Sequence, residues 1–264
     1  MVGETANTDY GNWISKRILR ICKTGLLLFT GIEVVLLVFR LNWPLTRAVV
    51  ALLMVLMLGC LIFFYRARWW FDTHGANMQE TVLDLLLSHI EWDGNGRALD
   101  IGCGSGALTI QLAKKYCKAQ VIGIDYWDKH WDYSQKQCED NARAEGVIER
   151  VTFQQASASK LPFDDETFDL VVSNLTFHEV SDSKNKLDVV KEALRVVKKG
   201  GSFAFQDLFL IKQYYGTPEQ LTEAVRAMGM QRVHFSDTKN SVRLPMTLRP
   251  PFMLGTMGLL SGTK

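Results

Sequence analysis

Two apolar blocks open this chain, and a regular alternation of short apolar runs with amphipathic stretches follows them. Residues 24–39 are apolar except for Thr24, Thr30 and Glu33, and residues 48–65 carry no charge. A helix that crosses a bilayer needs about 20 mostly apolar residues. The second block meets this, and the first does so if Ile18–Cys22 or Leu41–Trp43 join it. The connector between them holds Pro44, suited to starting a helix. From there the pattern changes. Met78–Ile90 places Val82, Leu85, Leu86 and Ile90 at helical spacing. Apolar runs ending at Asp100 and Asp125, then Val151–Gln155, Phe168–Ser173 and Ser202–Asp207, read as strands. The stretches between them predict helices over Ala107–Tyr116, Lys129–Ala144 and Leu187–Val197, the last ending at Lys198-Lys199-Gly200-Gly201, where cations and glycine suit a helix C-terminus. Pro218–Met228 predicts a helix, and Arg232–Phe235 and Met253–Leu260 predict closing strands. Strands alternating with helices imply an α/β domain with a parallel sheet.

Charge and composition sharpen the first part of this picture. The chain has 264 residues, 47% of them hydrophobic, and a mean hydropathy of +0.01. That apolar excess sits in the two opening blocks. Lys16, Arg17, Arg20 and Lys23 precede the first, and Arg66 and Arg68 follow the second, with Trp69, Trp70 and Phe71 beyond. Basic flanks with an aromatic belt mark a membrane interface. They outweigh Arg40 and Arg47 in the connector, which places both ends of a hairpin in the cytosol. The reading is a flexible segment over residues 1–15, an integral transmembrane hairpin over 16–71 and a cytosolic domain over 72–264. One or two buried core helices are the other reading of the same blocks. Residues 1–72 hold eight basic and four acidic residues. The positive charge therefore gathers at the anchor, where it suits anionic membrane lipids. The rest shows no basic stripe, so nucleic acid is not an expected partner. Five scattered cysteines with no C-x-x-C give no metal spacing, and reduced cytosolic thiols fit them. Glu33 is expensive in lipid and is expected to bond across the hairpin or to lie near a surface.

The chemistry concentrates in Leu99-Asp100-Ile101-Gly102-Cys103-Gly104-Ser105-Gly106. A strand ends in a carboxylate, and three alternate glycines let the backbone turn and approach a ligand. Nineteen residues later a second strand ends in Asp125, placed to accept from a ribose diol. Gly102, Gly104 and Ala107 also satisfy a dinucleotide pattern, which leaves a nicotinamide oxidoreductase as an alternative. Asp100 argues against it, because a carboxylate there would face a pyrophosphate.

The segment resembles motif I of the class I S-adenosylmethionine-dependent methyltransferases. Leu161-Pro162-Phe163 and Phe168–Asn174 resemble that family's third and fourth strand region. Val196-Val197-Lys198-Lys199-Gly200-Gly201-Ser202 resembles its turn before strand five. The resemblance implies a Rossmann-like, seven-stranded, mostly parallel sheet with helices on both faces and a final antiparallel strand. It implies S-adenosyl-L-methionine as cofactor, with Gly102, Gly104 and Gly106 approaching it and Asp100 near its aminoacyl end. Asp125 would take the ribose hydroxyls, Tyr126 would pack on the adenine, and Ser157 with Ala158 would border the adenine amino group. Relatives often carry an acid near Ser157, and this chain does not. Asn174 would border the methyl group.

His178 is the candidate general base, with an ordinary pKa near neutrality, or else a packed or gating side chain. Trp127 and Trp131, four apart, are expected on one helix face. Cys103 is expected to fill the tight turn rather than to react. The reading as a whole is a membrane-anchored methyltransferase for a small, lipophilic acceptor that enters past Trp69 and Trp70. The alternative is a non-catalytic S-adenosylmethionine-binding membrane module, a sensor or assembly factor.

Overall fold

The computed structural model describes residues 8–127, 132–238 and 241–264. They fall into two compact units. One holds residues 12–79 with Asp132, and the other holds residues 8–11, 80–127 and the remainder from Tyr133.

The first unit is built on two long helices, α1 (Lys16–Val38) and α2 (Pro44–Phe71). Both are long and apolar enough to cross a membrane, with 11% and 6% of their most apolar windows buried. Ser15 caps α1, its hydroxyl accepting from the Arg17 amide, and Pro44 starts α2 where its missing N–H costs nothing. The helices approach closely at Gly25, where a side-chain carbon would lie 3.0 Å from Met57 Sδ. Glu33 bonds across the hairpin, as one of the two expectations for it had it. Its Oε1 accepts from Arg47 Nε at 2.8 Å and Nη2 at 2.7 Å. At the other end Arg68 donates to the Ile14 carbonyl, and Asp132 accepts from the Lys16 amide at 3.0 Å.

The second unit is the α/β domain. After α3 (Met78–Ser88) come β1 (Gly96–Ile101), α4 (Ala107–Lys115), β2 (Ala119–Asp125), α5 (Gln135–Ala144), β3 (Val151–Gln155) and β4 (Phe168–Asn174). Then follow α6 (Lys186–Arg195), β5 (Val197–Asp207), the single turn α7 (Lys212–Tyr215), α8 (Pro218–Ala227), β6 (Arg232–Asp237) and β7 (Gly258–Thr263). The seven strands lie in the order β3-β2-β1-β4-β5-β7-β6. All neighbours are parallel except β7, which pairs antiparallel with β5 and β6. The order reverses at β1, where β2 lies on one side and β4 on the other, so a crevice opens at the carboxyl ends of these strands.

Three expectations need correction. The helix predicted from Lys129 starts at Gln135, capped by the Ser134 hydroxyl, because Ser134 satisfies the Gln137 amide and ends the preceding loop. Lys129 and Trp131 lie outside the described residues. The helix predicted through Val197 stops at Arg195, and Lys198–Gly201 belong to β5. There Phe168 pairs with Val197 while Leu170 pairs with Ser202, so the intervening residues bulge out. Lys198 serves Asp169 rather than a helix end, at 2.8 Å. The last strand begins at Gly258 rather than Met253. From Asp9 on, the lead-in expected to be loose is also held. The Asp9 amide donates to Asn141 Oδ1 at 2.8 Å, and Tyr10 donates to Glu145 at 3.2 Å.

The core beneath β4 and β5 is aromatic. Phe177 meets Phe205 edge-on with centroids 5.1 Å apart, and Phe203 lies 5.2 Å from Phe205. All three are buried. Truncating one leaves a cavity as well as lost apolar transfer, worth about 3–5 kcal/mol. Phe205→Ala is therefore expected to lower unfolding free energy by about that amount in urea titration. An unchanged midpoint would contradict this placement of the core.

Candidate functional site

The site grows from the end of β1. Asp100 is 1% exposed, and its Oδ2 accepts from the Thr109 hydroxyl on α4 at 2.6 Å. Burial, and then the charge of Asp125 against the help of Thr109, pushes its carboxyl up to about 7. At the end of β2, Asp125 accepts from the Gly104 amide at 2.9 Å and the Trp127 amide at 2.8 Å. Two strand-end carboxylates thus flank the glycine turn.

The three glycines have different tasks. Gly102, Gly104 and Gly106 all have positive φ (75°, 56° and 83°). A Cβ on Gly102 would lie 2.0 Å from Thr176 Oγ1, so the backbone there is glycine because Thr176 packs onto it. A Cβ on Gly106 would press on Phe153 and Cys138 at 3.1–3.3 Å. Only Gly104 of the three meets nothing nearer than 3.6 Å, where the Tyr133 ring stands. At Gly104 the Tyr133 ring stands in ordinary van der Waals contact with the position a Cβ would take. The Gly104 carbonyl is fixed by the Trp127 indole N–H at 2.8 Å and by Cys138 Sγ at 3.1 Å. Cys103 is buried and its thiol is pushed well up by that burial and by Cys138, which leaves it an inert filler of the turn.

The remaining expected residues lie along the same carboxyl edge of the sheet. Tyr126 directly follows β2 and is exposed. Trp127 is not on a helix. It has φ 44°, and its indole N–H points back to the glycine turn, while Trp131, its expected partner on a helix face, lies outside the described residues. The Ser157 and Ser159 hydroxyls both donate to Asp182 Oδ2, at 2.8 and 2.7 Å. The acid missing beside Ser157 in sequence is thus supplied in space by Asp182. Ala158 is buried at the edge of the core. Asn174, at the end of β4, accepts from Gln206 Nε2 at 3.1 Å. Leu175 follows with φ 52°. Left-handed backbone at Trp127 and Leu175, each costing about 1–3 kcal/mol, sits one or two residues past the strand ends on either side of β1.

His178 has a different post from a free base. Its Nδ1 lies 2.8 Å from Asp207 Oδ1 and its Nε2 lies 3.3 Å from Glu179 Oε1. Burial alone would lower its pKa, but Asp207 and Glu179 outweigh this and raise it to about 10. At neutral pH it is an imidazolium with no lone pair to take a proton. Asp207 is fully buried and also accepts from the Phe177 amide at 2.7 Å and the Leu208 amide at 2.6 Å. It therefore pins the 177–179 turn to the end of β5. Sequence reasoning missed Asp207, although Phe203-Ala204-Phe205-Gln206-Asp207 repeats the pattern that revealed Asp100 and Asp125: an apolar strand ending in an acid. It also missed Thr109, Thr176 and Asp182, which no local pattern marks.

Comparison with known proteins agrees with this architecture. Residues 99–205 match a methyltransferase domain family. A 27-O-demethylrifamycin SV methyltransferase of Amycolatopsis mediterranei is 31% identical over 163 residues, 61% of this chain and 57% of that protein. A malonyl-[acyl-carrier protein] O-methyltransferase of Geobacter sulfurreducens is 33% identical over 186 residues, 68% of this chain and 65% of that protein. The chain spans less than two thirds of the length of either relative. Among solved structures, geranyl diphosphate methyltransferase in complex with S-adenosylmethionine superposes with a TM-score of 0.54 at 15% identity, over 75% of this chain and 90% of that one, a likeness of fold alone. The match over residues 99–205 and these relatives support a class I S-adenosylmethionine-dependent methyltransferase domain in this chain.

Proposed function

We propose that this chain is a membrane-anchored methyltransferase that transfers a methyl group from S-adenosylmethionine to a small, lipophilic acceptor. The observation that carries the reading is the pair of strand-end carboxylates, Asp100 and Asp125, on either side of the glycine turn at Gly104. The residues present fit the cofactor. A buried carboxylate with no cation is costly, and Asp100 has no ion-pair partner among the described residues. A ligand with a cationic amino-acid end removes that cost. A ligand with a pyrophosphate adds to it.

When bound, the cofactor supplies a methyl group already activated on a sulfonium. Asp100 would favour the cationic aminoacyl end, and Asp125 would accept from the ribose diol. With its proton committed to Asp182, the Ser157 oxygen offers a lone pair to the adenine amino group, and Tyr126 offers a ring face. Asn174, steadied by Gln206, borders the transferred carbon. Holding the reacting atoms in line can supply about 7–11 kcal/mol, so positioning is the main task. His178 acts here as a positioning residue. As an imidazolium locked to Asp207 it sets the acceptor-side turn. The acceptor it suits arrives with a lone pair already free of a proton, or as an activated carbon, for which no base is needed.

The anchor reading is supported by the exposure of α1 and α2. A core helix of a soluble protein is mostly buried, and these are 11% and 6% buried over their apolar windows. A hairpin in lipid keeps the domain beside molecules dissolved there, and this favours a lipophilic acceptor.

Two outcomes check the proposal. Asp125→Ala is expected to weaken S-adenosylmethionine binding by about 1.5–3 kcal/mol in calorimetry while the thermal transition persists. Unchanged affinity in the folded variant would remove Asp125 from the site. The full chain, given methyl-labelled S-adenosylmethionine and a membrane lipid extract, is expected to place label in an organic-soluble product. Tight cofactor binding with no labelled product from lipid or aqueous extracts would favour the non-catalytic module instead.

A further inference from the structure

One groove lies wholly on the hairpin unit and has no part in methyl transfer. It has a volume of about 860 Å³ and is lined by Arg17, Arg20, Ile21, Thr24, Gly25 and Leu28. These positions recur every three or four residues, so they form one stripe along α1. The stripe is sorted by polarity. Two exposed arginines stand at its N-terminal end, a hydroxyl follows at Thr24, and the rest is apolar. Arg17 to Leu28 spans about 16 Å at the helical rise. One leaflet of a bilayer has about 15 Å of hydrocarbon. The gradient from cation through hydroxyl to hydrocarbon therefore runs over the depth of one lipid.

Electrostatics at this end asks for an anion. The N-terminus of a helix carries partial positive charge and favours acids in the first turn. α1 has none there, and Lys16 and Arg17 take their place. Among the described residues, Asp132 accepts from the Lys16 backbone amide at this end. Lys23 rests over the Tyr65 ring, 5.4 Å from its centre. Arg20 makes no ion pair among the described residues.

The geometry points to a binding site for one anionic phospholipid on α1, its phosphate held by Arg17 and Arg20 and an acyl chain lying along Ile21, Gly25 and Leu28. Thr24, one turn below Arg20, is placed to donate to an ester carbonyl. The inference rests on the hairpin lying in a bilayer, as proposed above. It goes further by naming the lipid class and its seat.

The test is native mass spectrometry of the full chain extracted from vesicles of equimolar phosphatidylcholine and phosphatidylglycerol. One phosphatidylglycerol per chain is expected to survive extraction in preference to phosphatidylcholine. Arg17→Gln and Arg20→Gln should each reduce its retention about fivefold, from about 1 kcal/mol per basic residue at an anionic surface. Thr24→Trp, which fills the groove without changing charge, should reduce it as well. Arg40→Gln, equal in charge change but at the other end of the hairpin, should not. Equal retention of both lipids, wild-type retention in the arginine variants, or full displacement by inorganic phosphate would overturn the lipid site. Carbonate extraction separates this from the anchor itself. Release of the wild-type chain from vesicles overturns the hairpin reading, and with it the lipid site. A chain that stays in the pellet without selecting phosphatidylglycerol overturns the lipid site alone.

Discussion

A carboxylate buried at the end of a central strand is the constraint around which this domain is arranged. Asp100 is 1% exposed, and an ionised carboxyl in such a place is expensive unless something positive or a proton meets it. Thr109 supplies one hydrogen bond, and Asp125 across the turn makes matters worse by like charge. The free domain resolves the conflict by holding a proton there to about neutral pH. A cationic ligand resolves it differently, by letting the proton go. Under the proposed function, the acid that costs stability in the free chain is the one that would give the site its preference for a ligand without phosphate.

The neighbouring features follow from holding that position rigid. Gly102 is glycine because Thr176 occupies the space of its side chain, and Thr176 donates to the Ile101 carbonyl at 3.2 Å. The ends of β1 and β4 are in this way locked together. Trp127 returns from the end of β2 to fix the Gly104 carbonyl, and it adopts left-handed backbone to do so. Leu175 does the same after β4. Strain collects on both sides of the crevice and is offset by the buried sheet, whose aromatic core lies beneath β4 and β5. Farther along the edge, buried Asp207, a third strand-end acid, holds His178 and the 177–179 turn.

Much of this was legible in the chain because strand ends announce themselves. An apolar run that stops at an acid marked Asp100 and Asp125, and the glycine spacing marked the turn between them. The strand and helix sequence followed from period, and the final antiparallel strand from the family resemblance. What escaped was set by distant pairing. Asp182 meets Ser157 from 25 residues away, and Thr176 meets Gly102 from the turn after β4. Helix ends were misread where local chemistry is ambiguous. Lys198-Lys199-Gly200-Gly201 suits a helix C-terminus, yet the chain spends it on a bulge in β5 that serves Asp169. His178 looked like a base because its unperturbed pKa is near neutral, and only its two carboxylate neighbours in space make it a fixed cation.

The central claim is that Asp100 exchanges a proton for the cationic end of the cofactor. Its pKa in the free chain is raised to about 7. A bound cation favours the ionised form and lowers it, so binding tightens as pH rises to about 7 and levels off above. Calorimetry of S-adenosylmethionine binding at pH 7 in two buffers of different ionisation enthalpy measures the proton directly. About half a proton should be released per cofactor bound, declining toward zero by about pH 9, and Asp100→Asn should release none from this group. Binding with no proton release at pH 7, or with the same release in Asp100→Asn, would contradict the account.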